Sequence, residues 1–118
     1  MPREKSDAVY LWDMLDAAKA IADFVRDKTY QNYIIDRMLQ GAVERHIEII
    51  GEAAGHVSQG FRDAHSEIPW RGIIAQRNVI AHEYGEIKHD RIWIVAKEFI
   101  PQLIDNLEPL ISKELDTM

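Results

Sequence analysis

Apolar residues recur along this chain at three- and four-residue intervals, and no stretch alternates long enough for a strand. The spacing predicts four long helices. The first spans about Asp7 to Arg26, with Ser6 as its N-cap. Leu11, Leu15, Ala18, Ala22 and Val25 form one stripe, and Tyr10, Met14, Ala17, Ile21 and Phe24 the stripe beside it; Asp13, Asp16, Asp23 and Asp27 hold the opposite face. An apolar arc of that width is covered either by two neighbours in a bundle or partly by a second copy of the chain, and the pattern leaves both readings open.

A polar connection from Asp27 to Asn32 leads to a second helix over about Tyr33 to Val57, striped by Leu39, Val43, Ile47, Ile50, Ala54 and Val57. Gly51 and Gly55 lie four apart on one face; each costs roughly 1 kcal/mol against Ala, so a close helix approach is expected along that face. Ser58 to Glu67 reads as a polar loop. Pro69 opens the third helix at a position where its missing N–H costs nothing. Trp70, Ile73, Ile74, Ile80 and Ala81 carry that helix's apolar face, and Gly85 supplies the stop. The fourth helix starts near Asp90 and is lined by Ile92, Ala96, Phe99, Leu103, Leu107 and Leu110. Pro101 is expected to kink it without ending it, and Pro109 to break off a last turn. The sum is an all-α, up-down four-helix bundle, one domain over 1–118, with room for a short fifth element.

Composition narrows the chemistry. With no cysteine there is neither a disulfide framework nor a thiolate nucleophile or metal ligand. No apolar run approaches bilayer length and no charged-then-apolar leader opens the chain, so a cytoplasmic protein with no membrane partner is expected. The net charge of −6 argues against a general RNA-binding module, because such proteins present a basic face. Any nucleic-acid contact then rests on a local cluster, such as one assembled from two subunits. Glu44, Glu48 and Glu52 repeat at four-residue spacing, which is by default a solvated acidic face; the other reading pairs one of them with Arg77 or uses it to orient His82. His46, on an apolar stripe, reads as a hydrogen-bonded structural histidine. His56, at a helix end, and His65, in the loop, are given no role.

The chemistry gathers in residues 77–84, RNVIAHEY. With Arg77 at zero on a helical wheel, Asn78 falls near about 100°, His82 near about 140° and Tyr84 near about −20°. The four polar groups span less than half of the helix surface. Arginine's planar fork binds a phosphate and stabilises added charge in a transition state. Histidine titrates near neutrality, and can take the proton of a ribose 2′-OH or give one to a leaving 5′-oxygen. Asn78 can fix the imidazole or hold a phosphate oxygen, and Tyr84 can stack on a base. One histidine per chain does not readily serve as both acid and base, so the mechanism itself predicts a homodimer whose cleft joins two copies of the segment. The competing reading is structural: an Arg paired with a glutamate, and a His complementing a helix C-terminus. There is no HExxH, no glycine-rich phosphate loop and no nucleophile elbow.

Arg77, His82 and Tyr84 match the R-x4-6-H-x-Y signature of the HEPN superfamily, with Asn78 as the polar residue that commonly follows the arginine. The stretches IEIIGEAA (47–54) and IPWRGIIAQRNVIAHEY (68–84), together with the Trp93-containing last helix, resemble the HepT-like branch from Tyr10 to Leu110. The resemblance implies an all-α dimeric bundle acting as a toxin: a metal-independent endoribonuclease with no cofactor, whose RNA substrate meets Arg77 and His82 in a dimer cleft. It implies a partner too, a MntA-like nucleotidyltransferase antitoxin that transfers AMP to the motif tyrosine, here Tyr84, which is also an RNA contact. Asn78 is the supporting residue. Glu83 places an acid beside that cleft. The alternative from another class is a non-catalytic adaptor subunit of a nucleotidyltransferase, with the motif serving only as an interface.

Overall fold

The computed structural model describes residues 6–82 and 88–116, with the backbone alone for Val79, Ala81, His82 and residues 112–116. Every element among them is helical: α1 (Asp7–Val25), α2 (Tyr30–Ile34), α3 (Arg37–His56), α4 (Gln59–Ala64), α5 (Trp70–His82), α6 (His89–Ile94), a π-helical turn (Val95–Phe99) and α7 (Ile100–Asp116).

The long helices run up and down. Tyr10 stacks on His56 with ring centroids 5.1 Å apart, and Phe24 meets His46 edge-on at 5.0 Å, so α3 descends beside the ascending α1. At one end the Asp7 carboxylate accepts hydrogen bonds from the Ser58 N–H (2.9 Å) and Ser58 Oγ (2.7 Å). The last helix also descends along α1: Lys97 Nζ donates to the Val25 carbonyl at 3.3 Å, and Lys19 pairs with Glu108 at 3.4 Å. Both apolar stripes of α1 are used inside the chain. Leu11, Met14, Leu15, Ala17, Ala18, Ile21 and Val25 are buried, and Tyr10, Ala22 and Phe24 pack against the core. The wide arc is therefore the central wall of the bundle, shared by α3 on one side and α7 on the other. Val43, Ile47, Ile50, Ala54, Ile92, Ile100, Leu103 and Leu107 fill the space around it.

Several boundaries differ from the expectation, each for a local reason. The expected second helix is two. Thr29 and Asn32 form a reciprocal capping box that starts α2 within the supposed connection, and Asp36 then caps α3 through the Leu39 N–H at 3.0 Å. α2 closes one end of the bundle, stacking the buried Tyr33 ring on Trp93 at 5.2 Å. The expected loop 58–67 contains α4, because Ser58 Oγ accepts from the Phe61 N–H. Pro69 stands one residue before α5 and its carbonyl accepts the first helical bond, from the Ile73 N–H. α6 begins at His89, with Lys88 in the capping position and Asp90 inside the first turn. The chain runs on past Pro101 through the π turn, where the Ile100 N–H reaches back to the Val95 carbonyl. The wider turn sits beside Pro101, which has no N–H to continue the ordinary ladder. Pro109 does not break off the last turn: α7 continues to Asp116. The carbonyl that Pro109 leaves without a helical partner belongs to the exposed Asp105, where water can satisfy it.

No helix among the described residues is long and apolar enough to cross a membrane.

Candidate functional site

Among the described residues, α3 is the one long helix with which α5 makes extensive contact, and the contact is close because α3 carries glycine at position 51. A Cβ placed there would overlap the Arg77 Cβ outright, lie 2.9 Å from Arg77 Cγ and 3.1 Å from the Ile73 carbonyl oxygen. The stem of Arg77 thus lies flat on the backbone of α3, which fixes where its guanidinium emerges. Gly55, expected to share this duty, faces open space. Arg77 is half-buried as a residue, and its Nη1 donates to Asn78 Oδ1 at 3.1 Å in an exposed hydrogen bond. No acidic side chain among the described residues forms an ion pair with Arg77; Glu48 is engaged instead by Arg45 at 3.7 Å.

His82 lies at the last residue of α5, one and a half turns beyond Arg77; its side chain, and Glu83, Tyr84 and Gly85, are outside the described residues. The structure therefore brings Arg77 and Asn78 together and leaves their approach to His82 and Tyr84 untested.

The remaining histidines are accounted for individually. His46 Nδ1 lies 2.7 Å from the Ala42 carbonyl, as expected of a structural histidine. His56 stacks on Tyr10, and His65 pairs with Glu67 at 3.2 Å and packs on Phe61. The acidic run is not a uniformly solvated face: its first member, Glu44, is largely shielded from solvent and lies 3.7 Å from His89 Nδ1, beside the fully buried Tyr33. Burial raises the Glu44 carboxyl above its ordinary pKa; the neighbouring His89 pulls it down and Glu48 pushes it up. Burial likewise lifts the Tyr33 phenol well above its ordinary value, with Glu44 adding to the rise. Among the described residues no three His, Asp or Glu side chains gather as a metal-binding group.

Comparison with known proteins identifies the class. The family model described as ribonuclease HepT-like matches residues 14–110. The chain is 35% identical over 107 residues to a protein of Thermococcus cleftensis named as a probable ribonuclease HepT, covering 91% of this chain and 97% of that one. It is 32% identical over 99 residues to a candidate RNase of Methanocaldococcus jannaschii, covering 84% and 91% of the two chains. A candidate RNase of Caldanaerobacter subterraneus subsp. tengcongensis is 30% identical over 110 residues, covering 93% and 98%. No solved structure matches. The fold and the motif helix define an all-α ribonuclease of the HEPN type. The chain belongs to the ribonuclease HepT-like family.

Proposed function

We propose that this chain is the toxin of a HepT/MntA-type toxin–antitoxin pair, cutting RNA without a metal ion through Arg77 and His82. The observation that carries the reading is the seating of Arg77 on α3 at Gly51, five residues before His82, in a chain matched to this family over residues 14–110. Such a cramped glycine costs helix stability, and it holds the one side chain whose position a phosphate-binding role would fix.

In the proposed reaction the Arg77 guanidinium holds the scissile phosphate and offsets the charge that builds on its oxygens. His82 takes the proton from the ribose 2′-OH, whose oxygen attacks phosphorus. The P–O5′ bond breaks, and the 5′-oxygen takes a proton from His82 of the partner subunit. The products are a 2′,3′-cyclic phosphate and a free 5′-OH. Two copies in a homodimer supply both histidines, and two arginines concentrate positive charge on a protein of net charge −6. Asn78 supports the site by holding the Arg77 fork.

The antitoxin in this reading is a nucleotidyltransferase that moves AMP from ATP to the Tyr84 phenol oxygen, with pyrophosphate leaving. The added phosphate brings negative charge seven residues along the chain from Arg77 and repels the RNA backbone. The test combines two measurements. Purified protein is incubated with RNA in excess EDTA and the product ends are identified; the account expects cyclic phosphates. Intact mass with and without a co-expressed MntA-like nucleotidyltransferase is then measured, with peptide mapping over residues 77–91. AMP on Tyr84 only in the partner's presence supports the pair, and an unmodified Tyr84 in both conditions removes this mode of control.

A further inference from the structure

The partly buried carboxylate of Glu44 has a geometric relation to the motif that the proposed mechanism does not use. Gly51 and Glu44 are seven residues apart on α3. At 3.6 residues per turn they stand on nearly the same line of the helix, about 10.5 Å apart. Arg77 is pressed onto that line at Gly51. His89, the first residue of α6, meets it at Glu44. Arg77 and His89 therefore meet the same line of α3 about two turns apart.

The contact at His89 is built of buried polar atoms. His89 Nδ1 is buried although the side chain is one-third exposed, and it faces Glu44 Oε2 at 3.7 Å, within Coulombic reach but beyond a hydrogen bond. The Tyr33 ring stands edge-on to the His89 ring, with centroids 6.1 Å apart, and its hydroxyl is buried with no hydrogen-bond partner. Trp93, one turn along α6, backs Tyr33. An apolar residue at 44 or 89 would pack here at less cost, since desolvating a carboxylate and leaving polar atoms unpaired are both unfavourable. A group held against that cost, five residues beyond the motif, has a positioning role.

We propose that Glu44 and His89, walled by Tyr33, form a polar clamp that fixes the start of α6 on α3, seven residues beyond His82, and so positions His82 relative to Arg77. The proposal rests on the ribonuclease reading of the motif. Glu44 and His89 touch no substrate in it. They are positioning residues, and the groups facing them are Tyr33 from α2 and Glu48 from α3.

The test uses the full-length chain with Glu44→Gln and His89→Phe, the latter keeping a ring against Tyr33. Three quantities are measured: the melting temperature, the pH titration of the His82 imidazole signals by NMR, and steady-state cleavage of a fluorescent mixed-sequence oligoribonucleotide. The clamp predicts a Glu44→Gln melting temperature no lower than wild type at pH 7, because a desolvated carboxylate has been neutralised. It also predicts a displaced His82 titration, and a kcat lowered by about tenfold or more with KM within about threefold. His82 signals and kcat unchanged in a folded Glu44→Gln variant overturn the clamp, whatever becomes of His89→Phe. A wild-type protein that cleaves no RNA instead overturns the ribonuclease reading, and the His82 titration then decides the clamp by itself.

Discussion

Replacing Gly51 with alanine adds one methyl group, and the structure says where it goes. The new carbon would overlap Arg77 Cβ and sit 2.9 Å from Cγ and 3.1 Å from the Ile73 carbonyl oxygen, two of the three contacts being with the stem of Arg77 and the third with backbone. Carbon atoms rest about 3.5–4.0 Å apart, so α5 must retreat from α3 by about 1 Å or more. Overpacking of this kind costs about 1–3 kcal/mol. The gain in helix propensity from Gly to Ala, about 1 kcal/mol, offsets part of it. The net loss is then about 1 kcal/mol, or roughly 4 °C in melting temperature for a chain of this size. The effect on chemistry is larger, because about 1 Å of misplacement in a phosphate-holding group costs on the order of 100-fold in rate. Gly55→Ala is the matched control. It lies on the same helix, an added Cβ meets nothing within 4 Å, and it should raise the melting temperature with cleavage unchanged. Thermal unfolding by circular dichroism and single-turnover RNA cleavage, run on both variants, give the comparison. If Gly51→Ala gains stability as Gly55→Ala does and cleaves at the wild-type rate, then α5 is not fixed by this contact and the argument about Arg77 fails.

Other expectations come from single side chains. Because the Glu44 carboxyl is raised by burial, its ionisation opposes folding: the folded state is favoured below the ordinary glutamate pKa of 4.5, and that advantage is lost as pH rises through the higher folded value. The melting-temperature difference between Glu44→Gln and wild type should therefore grow in the variant's favour from pH 4 to pH 7; a difference independent of pH contradicts the burial. Asp36→Ala removes the cap that starts α3 and should cost about 1 kcal/mol in urea unfolding, whereas an unchanged midpoint would show that α3 starts without it. Leu107→Ala empties a fully buried site between α7 and α1 and should cost about 2–5 kcal/mol, with a loss under about 1 kcal/mol counting against the core described here.

The fold class and the four long helices were legible in the hydrophobic spacing because each long helix buries a face against at least one neighbour, and burial imposes the 3.6-residue period. The short elements were not. α2 and α4 owe their existence to side-chain caps at Thr29 and Ser58 in stretches whose polarity reads as loop. The prolines misled in part. A helix interior tolerates Pro109 where the orphaned carbonyl is exposed, and the chain passes Pro101 where a π turn widens the ladder, and neither condition is visible in a one-dimensional pattern. At the site, the residue types of the motif were readable directly, but their support was not. Gly51 and Gly55 look equivalent in sequence, and only the packing shows that one carries the weight of Arg77 and the other none. Glu44 looked like the start of a solvated acidic face because the element that covers it, α6, lies more than forty residues away in the chain.

The central claim is that Arg77 and His82 perform the cleavage. The most direct measurement is the single-turnover rate of RNA cleavage in EDTA by wild type, His82→Ala and Arg77→Ala, each checked for an unchanged melting profile. Loss of a general acid–base histidine is expected to lower the rate by about 100- to 10,000-fold, and loss of the phosphate-binding arginine by a comparable factor. Folded His82→Ala protein that cleaves at the wild-type rate would contradict the account.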